Sequence, residues 1–149
     1  MREGPVVNNL WRVRFSILFG FVVFDLLSTR FFITALAEEG NSYARFLMQT
    51  FGISAGLILF SMAIAGILAL ILYLSKFVTT NRKGSTALII VLALDIGFAW
   101  CVAGMHFIGG TSWFWLAPEF IRGLMGAGLY LTILYSVLLA VNARKIQHA

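Results

Sequence analysis

Four stretches of this chain are long and apolar enough to cross a lipid bilayer, and nothing else in it constrains the fold as strongly. About 20 apolar residues, at roughly 1.5 Å rise each, cover the ~30 Å hydrocarbon core. The sequence supplies Phe15–Ala37, Phe51–Leu74, Thr86–Ile108 and Phe120–Val141. Asp25 and Arg30 interrupt the first stretch, Asp95 and His106 the third, and Arg122 sits near the start of the fourth. The second carries no charge. Charged residues make up 11% of the 149, under half of the ~25% typical of soluble domains. That excludes a soluble globular enzyme and a disordered tail. The expectation is a single all-α domain, an integral membrane four-helix bundle.

Charge placement sets the expected orientation. Arg2, Arg12 and Arg14 precede the first stretch, Lys76, Arg82 and Lys83 separate the second from the third, and Arg144 and Lys145 follow the fourth. The opposite side holds Arg45 and Arg122 with Glu38, Glu39 and Glu119. Excess Lys/Arg marks the cytoplasmic face, so the reading is a multi-pass cell-membrane protein with both termini cytoplasmic. The net charge of +5 is thereby assigned to membrane edges, and no nucleic-acid partner is expected. Ala35-Leu36-Ala37 imitates a leader cleavage site, but the uncharged run before Asp25 is only Phe15–Phe24. The segment is read as a retained first span.

Local signals punctuate the same four helices. Gly40 reads as a helix stop, and Asn41 or Ser42 as a cap for an amphipathic start, SYARFLMQTF,. Gly109 and Gly110 read as the end of the third span, and Pro118 and Glu119 as the first turn of the fourth,. Trp113, Phe114 and Trp115 suit one interfacial belt, and Trp11 and Tyr73 the other,. Asp25 and Asp95 fall at similar distances into spans of the same direction. Each outer loop then carries an acid followed by Arg and Leu-Met. This is the pattern of a parallel repeat of two helical hairpins.

The charges inside the apolar stretches carry the functional argument. An Asp or Arg at the centre of a membrane helix costs about 2.5–3.5 kcal/mol on insertion scales, so it needs a partner. Asp25 and Thr29 share a helix face. The expected arrangement is one intramembrane polar cluster of Asp25, Thr29, Arg30 and Asp95. On the outer side, Glu38, Glu39, His106, Glu119 and Arg122 are candidates for a polar or cation site. His106 alone is expected to bond Glu119 or a loop carbonyl. A second histidine, His148, lies at the opposite end, which argues against a two-histidine haem or metal centre. Small residues at four-residue spacing supply helix-packing candidates: Gly52 and Gly56 in the second span, and Gly128, Thr132 and Ser136 in the fourth.

Catalytic motifs are absent from the sequence. The one cysteine, Cys101, excludes an intramolecular disulfide and a paired-thiol centre,. No nucleophile–base pair, phosphate loop or metal-hydrolase motif appears. No catalytic residue, metal or cofactor is assigned, and bound lipid is expected. The primary expectation is a non-catalytic accessory subunit packing against other membrane subunits or copies of itself. The alternative is a small proton- or cation-coupled transporter acting as an oligomer through Asp25 and Asp95.

The stretch Asp25-Leu-Leu-Ser28-Thr29, followed by Glu39-Gly-Asn41, resembles a group of small four-span prokaryotic membrane proteins. They carry an Asp…Thr motif in span one and a Glu-x-Asn-Pro turn after it. Ser42 stands where that turn has proline. The likeness covers about thirty residues, and it implies the four-span fold without an activity.

Overall fold

The computed structural model describes residues 5–80 and 84–147, with side chains over 10–76, 84–141 and at 143. Arg2, Arg82, Lys83 and His148, and the side chains of Arg144 and Lys145, lie outside the described residues. The described chain is helical, without strands: α1 (Pro5–Phe32), α2 (Ser42–Phe51), α3 (Ile53–Thr80), α4 (Ser85–Phe98), α5 (Met105–Thr111) and α6 (Glu119–Gln147). A 3₁₀ turn, Leu36–Glu38, follows α1, and a π-helical segment, Ala99–Gly104, joins α4 to α5 without a break. Four helical segments are long and apolar enough to cross a membrane: Leu10–Phe32, Ile53–Lys76, Ser85–Thr111 and Glu119–Val141.

The helix ends follow from local chemistry. Pro5 opens α1, where its missing N–H is harmless,. The Asn41 side chain accepts hydrogen bonds from the Tyr43 and Ala44 amides and caps α2,. Gly52, at φ 83°, breaks α2 from α3 in a conformation that favours glycine,. The chain then doubles back closely: a Cβ on Gly56 would meet the Met48 backbone at 2.4 Å. Glu119 begins α6, with the Pro118 carbonyl accepting from the Ile121 and Arg122 amides.

Consecutive long segments alternate in direction. Trp11 meets Tyr73 edge-on at 6.0 Å, while Ile33 packs with Leu57 at the far end, so α1 and α3 are antiparallel. Gly104 abuts the Gly123 carbonyl and Asp95 lies near Tyr135, so the α4–α5 rod and α6 are antiparallel. The starts of α1 and α4 therefore share one end with the close of α3 and α6. The opposite end holds α2 and the α5–α6 connection. The main core joins Leu18 of α1, Leu68 and Leu72 of α3, Phe98 of α4 and Tyr130 and Leu134 of α6. A smaller one, Ile33, Met48 and Leu57, sits under α2.

Of the expected packing glycines, Gly56 makes a close helix contact, Gly52 forms the break between α2 and α3, and further close contacts fall on glycines the spacing did not single out. Gly109 and Gly110 lie in the last turn of α5, which ends at Thr111, and α1 passes against them there. A Cβ on Gly109 would lie 2.6 Å from Asp25 Oδ1, and one on Gly110 would lie 2.5 Å from Phe24. On α6, Gly126 would meet Phe107 Cβ at 2.5 Å and the Ala103 carbonyl oxygen at 2.9 Å. Gly128, Thr132 and Ser136 are exposed on the outer face of α6, and nothing lies within 4 Å of a Cβ at Gly128. Four-residue spacing identifies a face, but not which face turns inward. Gly126→Leu is expected to destabilise by about 1–3 kcal/mol through overpacking, while Gly128→Leu should stay within ~0.5 kcal/mol. Thermal unfolding of both variants in detergent checks this pair.

Candidate functional site

Two ion-pair contacts tie α1 to the α4–α5 rod. In the first, Arg14 clasps Asp95 with both ends of its fork: Nε donates to Oδ1 at 2.6 Å and Nη2 to Oδ2 at 2.9 Å. Arg14 is 4% exposed and Asp95 1%. The Tyr135 hydroxyl approaches Oδ2 at 3.5 Å. Tyr130 is fully buried beside the pair. In the second contact, His106 Nδ1 lies 2.8 Å from Asp25 Oδ2, in a half-buried setting.

The two contacts share a register. Arg14 to Asp25 on α1, and Asp95 to His106 on the rod, are each eleven residues apart. The pairs therefore repeat after about 16 Å along two helices that run the same way. The π-helical segment lies between them on the rod. Its residues Ala99, Ala103 and Gly104 are small and buried, and the segment packs closely on α6.

This geometry replaces the single expected cluster. Asp25 and Asp95 are not at one depth: Asp95 is level with Arg14, eleven residues before Asp25. Arg30 joins neither pair and is exposed on α1. Thr29 is buried, and its hydroxyl accepts from Trp113 Nε1 at 3.2 Å instead of serving Asp25. His106 bonds Asp25, not Glu119 or a loop carbonyl. Trp113 is consequently a packing residue, and Arg14 belongs inside the bundle and not among the loop cations.

A cavity of about 460 Å³ opens at the α2 end between α1, α3 and α5. Asp25, Thr29 and His106 line it, as do Cys101 and Met105 on the rod. Glu38, Glu39, Glu119 and Arg122 line the same cavity. The outer-side candidates are thus gathered, although no group of three or more His, Cys, Asp or Glu among the described residues is arranged to hold a metal.

The rim is ordered by its own hydrogen bonds. Glu38 accepts from the Thr34 and Ala35 amides and from the Thr34 hydroxyl. Those bonds hold its carboxyl below the ordinary value of 4.5,. Glu39 accepts from the Asn41 amide, and the Arg45 guanidinium bonds the Glu39 carbonyl. Arg122 is 7% exposed; its Nη1 donates to the Ile108 carbonyl at 3.1 Å, while its Nε has no partner.

Of the residues that matter here, Arg14 had the clearest unused signal. Arg12 and Arg14 are two apart and so point to different sides of a helix. Arg12 is exposed over the Trp11 ring, and Arg14 faces inward. Cys101 and Met105 gave no comparable sign in an apolar stretch. Compared with protein-family models, curated proteins and solved structures, the chain matches none of them.

Asp95→Asn would leave the Arg14 charge buried without its counter-ion. Breaking one side of such a pair costs about 3–5 kcal/mol, whereas an apolar replacement of both sides is often neutral. Asp95→Asn should therefore unfold at much lower denaturant, and Arg14→Met combined with Asp95→Leu should recover most of the loss. Denaturant titration in micelles measures both.

Proposed function

We propose that this protein is an integral membrane protein that accepts a small charged solute in the vestibule at the α2 end, as the binding half of a proton- or cation-linked transporter. One observation carries the reading: the 460 Å³ cavity is lined by both members of the Asp25–His106 contact. A hydrogen-bonded carboxylate–imidazole pair in a cleft can exchange a proton as a solute arrives. The opposite half of the bundle holds the Leu18, Leu72, Tyr130 and Leu134 core and the Arg14–Asp95 pair, beside a smaller cavity of about 200 Å³ that Arg14 lines. Passage would require that pair to part. The π-helical segment lies on the rod between the two pairs, and such segments recur at functional sites,.

The orientation belongs to the same proposal. The excess of Lys and Arg supports cytoplasmic termini, which turns the vestibule to the outside. Acidic rim residues then favour cations over anions at its mouth.

A second reading, an accessory subunit docked on other membrane subunits or on itself, is favoured by one observation. Gly128, Thr132, Ser136 and Ala140 lie exposed along α6, where another helix could approach closely.

Cys101 is the only cysteine and lines the vestibule, so it reports on both readings. A membrane-impermeant cationic methanethiosulfonate added to right-side-out vesicles should label it several-fold faster than its anionic counterpart. Asp25→Asn should narrow that difference. Labelling only after denaturation would overturn the vestibule reading. Recovery by native mass spectrometry only in assemblies with larger proteins would favour the subunit reading.

A further inference from the structure

The vestibule contains opposite charges that do not neutralise each other. Asp25 comes from α1 and Arg122 from the first turn of α6, and both reach one turn of α5. Arg122 Nη1 donates to the Ile108 carbonyl at 3.1 Å, and a Cβ on the next residue, Gly109, would lie 2.6 Å from Asp25 Oδ1. Asp25 is engaged by His106, and no ion pair joins it to Arg122. Arg122 is 7% exposed and keeps its Nε without a partner. Glu119, three residues earlier, is exposed at the rim and forms no ion pair with it.

A buried guanidinium with one carbonyl acceptor and an orphaned N–H is costly unless something completes it. Its fork suits a planar carboxylate or a phosphate. The N-terminus of α6, a 29-residue helix, favours negative charge at the same place,. The Asp25 carboxylate, Glu38 and Glu39 line the same cavity and favour an ammonium group. Apolar side chains of Leu57, Phe60 and Ile64 line it from α3.

Resting on the vestibule reading above, we propose that the ligand is a zwitterion, with its anionic group on Arg122 and its ammonium on Asp25. That chemistry is shared by a free amino acid and by the headgroup of an aminophospholipid. Purified protein in a non-ionic detergent distinguishes the two sources by calorimetric titration. One series is phenylalanine, phenethylamine and 3-phenylpropanoate; the other is dihexanoyl phosphatidylethanolamine and dihexanoyl phosphatidic acid.

In at least one series the zwitterion should bind at least tenfold tighter than its singly charged analogues. Arg122→Gln should abolish that preference without weakening phenethylamine binding, because it removes a like charge from the same cavity. If Arg122→Gln does not fold, the wild-type series decides. Equal or weaker binding of the zwitterion in both series, or no binding in either, overturns the proposal. Protection of Cys101 from thiol reagent by phenethylamine alone would leave the vestibule standing without the zwitterion. A Cys101 that no impermeant reagent reaches would remove the vestibule itself.

Discussion

The structure depends on how one buried arginine and one buried aspartate are reconciled with an apolar setting. Neither side chain is tolerable alone in hydrocarbon. Arg14 and Asp95 meet through two parallel hydrogen bonds inside the bundle. That contact fixes both the rotation of α1 and its axial position against α4. Apolar packing between membrane helices specifies such a register weakly, because lipid tails solvate leucine as well as another helix does. A bidentate charged contact does not slip by a turn without stranding both ions.

Once that register is set, the other end of α1 follows. Eleven residues further along each helix, Asp25 reaches His106, and Gly109 leaves room for the carboxylate. The two contacts face different surroundings. The first is almost fully buried, with Arg14 4% and Asp95 1% exposed, while the second is half-buried and lines the larger cavity. The bundle thus carries its larger cavity, about 460 Å³, at the end where α2 crosses it, and a smaller one of about 200 Å³, lined by Arg14, at the end where α1 begins. α2 contributes by being a separate helix: Asn41 starts it, Gly52 ends it, and Gly56 lets it lie against α3. This asymmetry supports reading the half with the larger cavity as the place where a ligand enters.

Much of the fold was legible because its signals are local. Run length and hydropathy located the four long segments, Asn41 marked the start of α2, and Pro118–Glu119 marked the start of α6. What the chain could not show was the axial offset between helices. Asp25 and Asp95 stand at similar distances from the starts of their apolar runs, yet they are about three helical turns apart in depth,. α1 is apolar and helical from well before Phe15, so counting from that residue misplaced Arg14 outside the bundle. Gly109 and Gly110 illustrate a second limit. Adjacent glycines read as a helix stop, and only the neighbouring helix shows that they also form a surface for close approach. The polar residues that line the cavity stand out in the sequence against the apolar runs, but their partners are set by tertiary placement.

The central claim is that Arg14, and not Arg30, neutralises Asp95 inside the bundle. Aspartate occurs at only two positions, so Asp25→Asn leaves Asp95 as the sole aspartate carboxylate. Magic-angle-spinning NMR in lipid bilayers, with ¹⁵N-arginine and ¹³C-aspartate labels, reads the dipolar coupling between guanidinium Nε and carboxylate carbon. The account predicts strong coupling that survives Arg30→Lys and disappears in Arg14→Lys. Absence of coupling, or coupling lost only on Arg30→Lys, would contradict it.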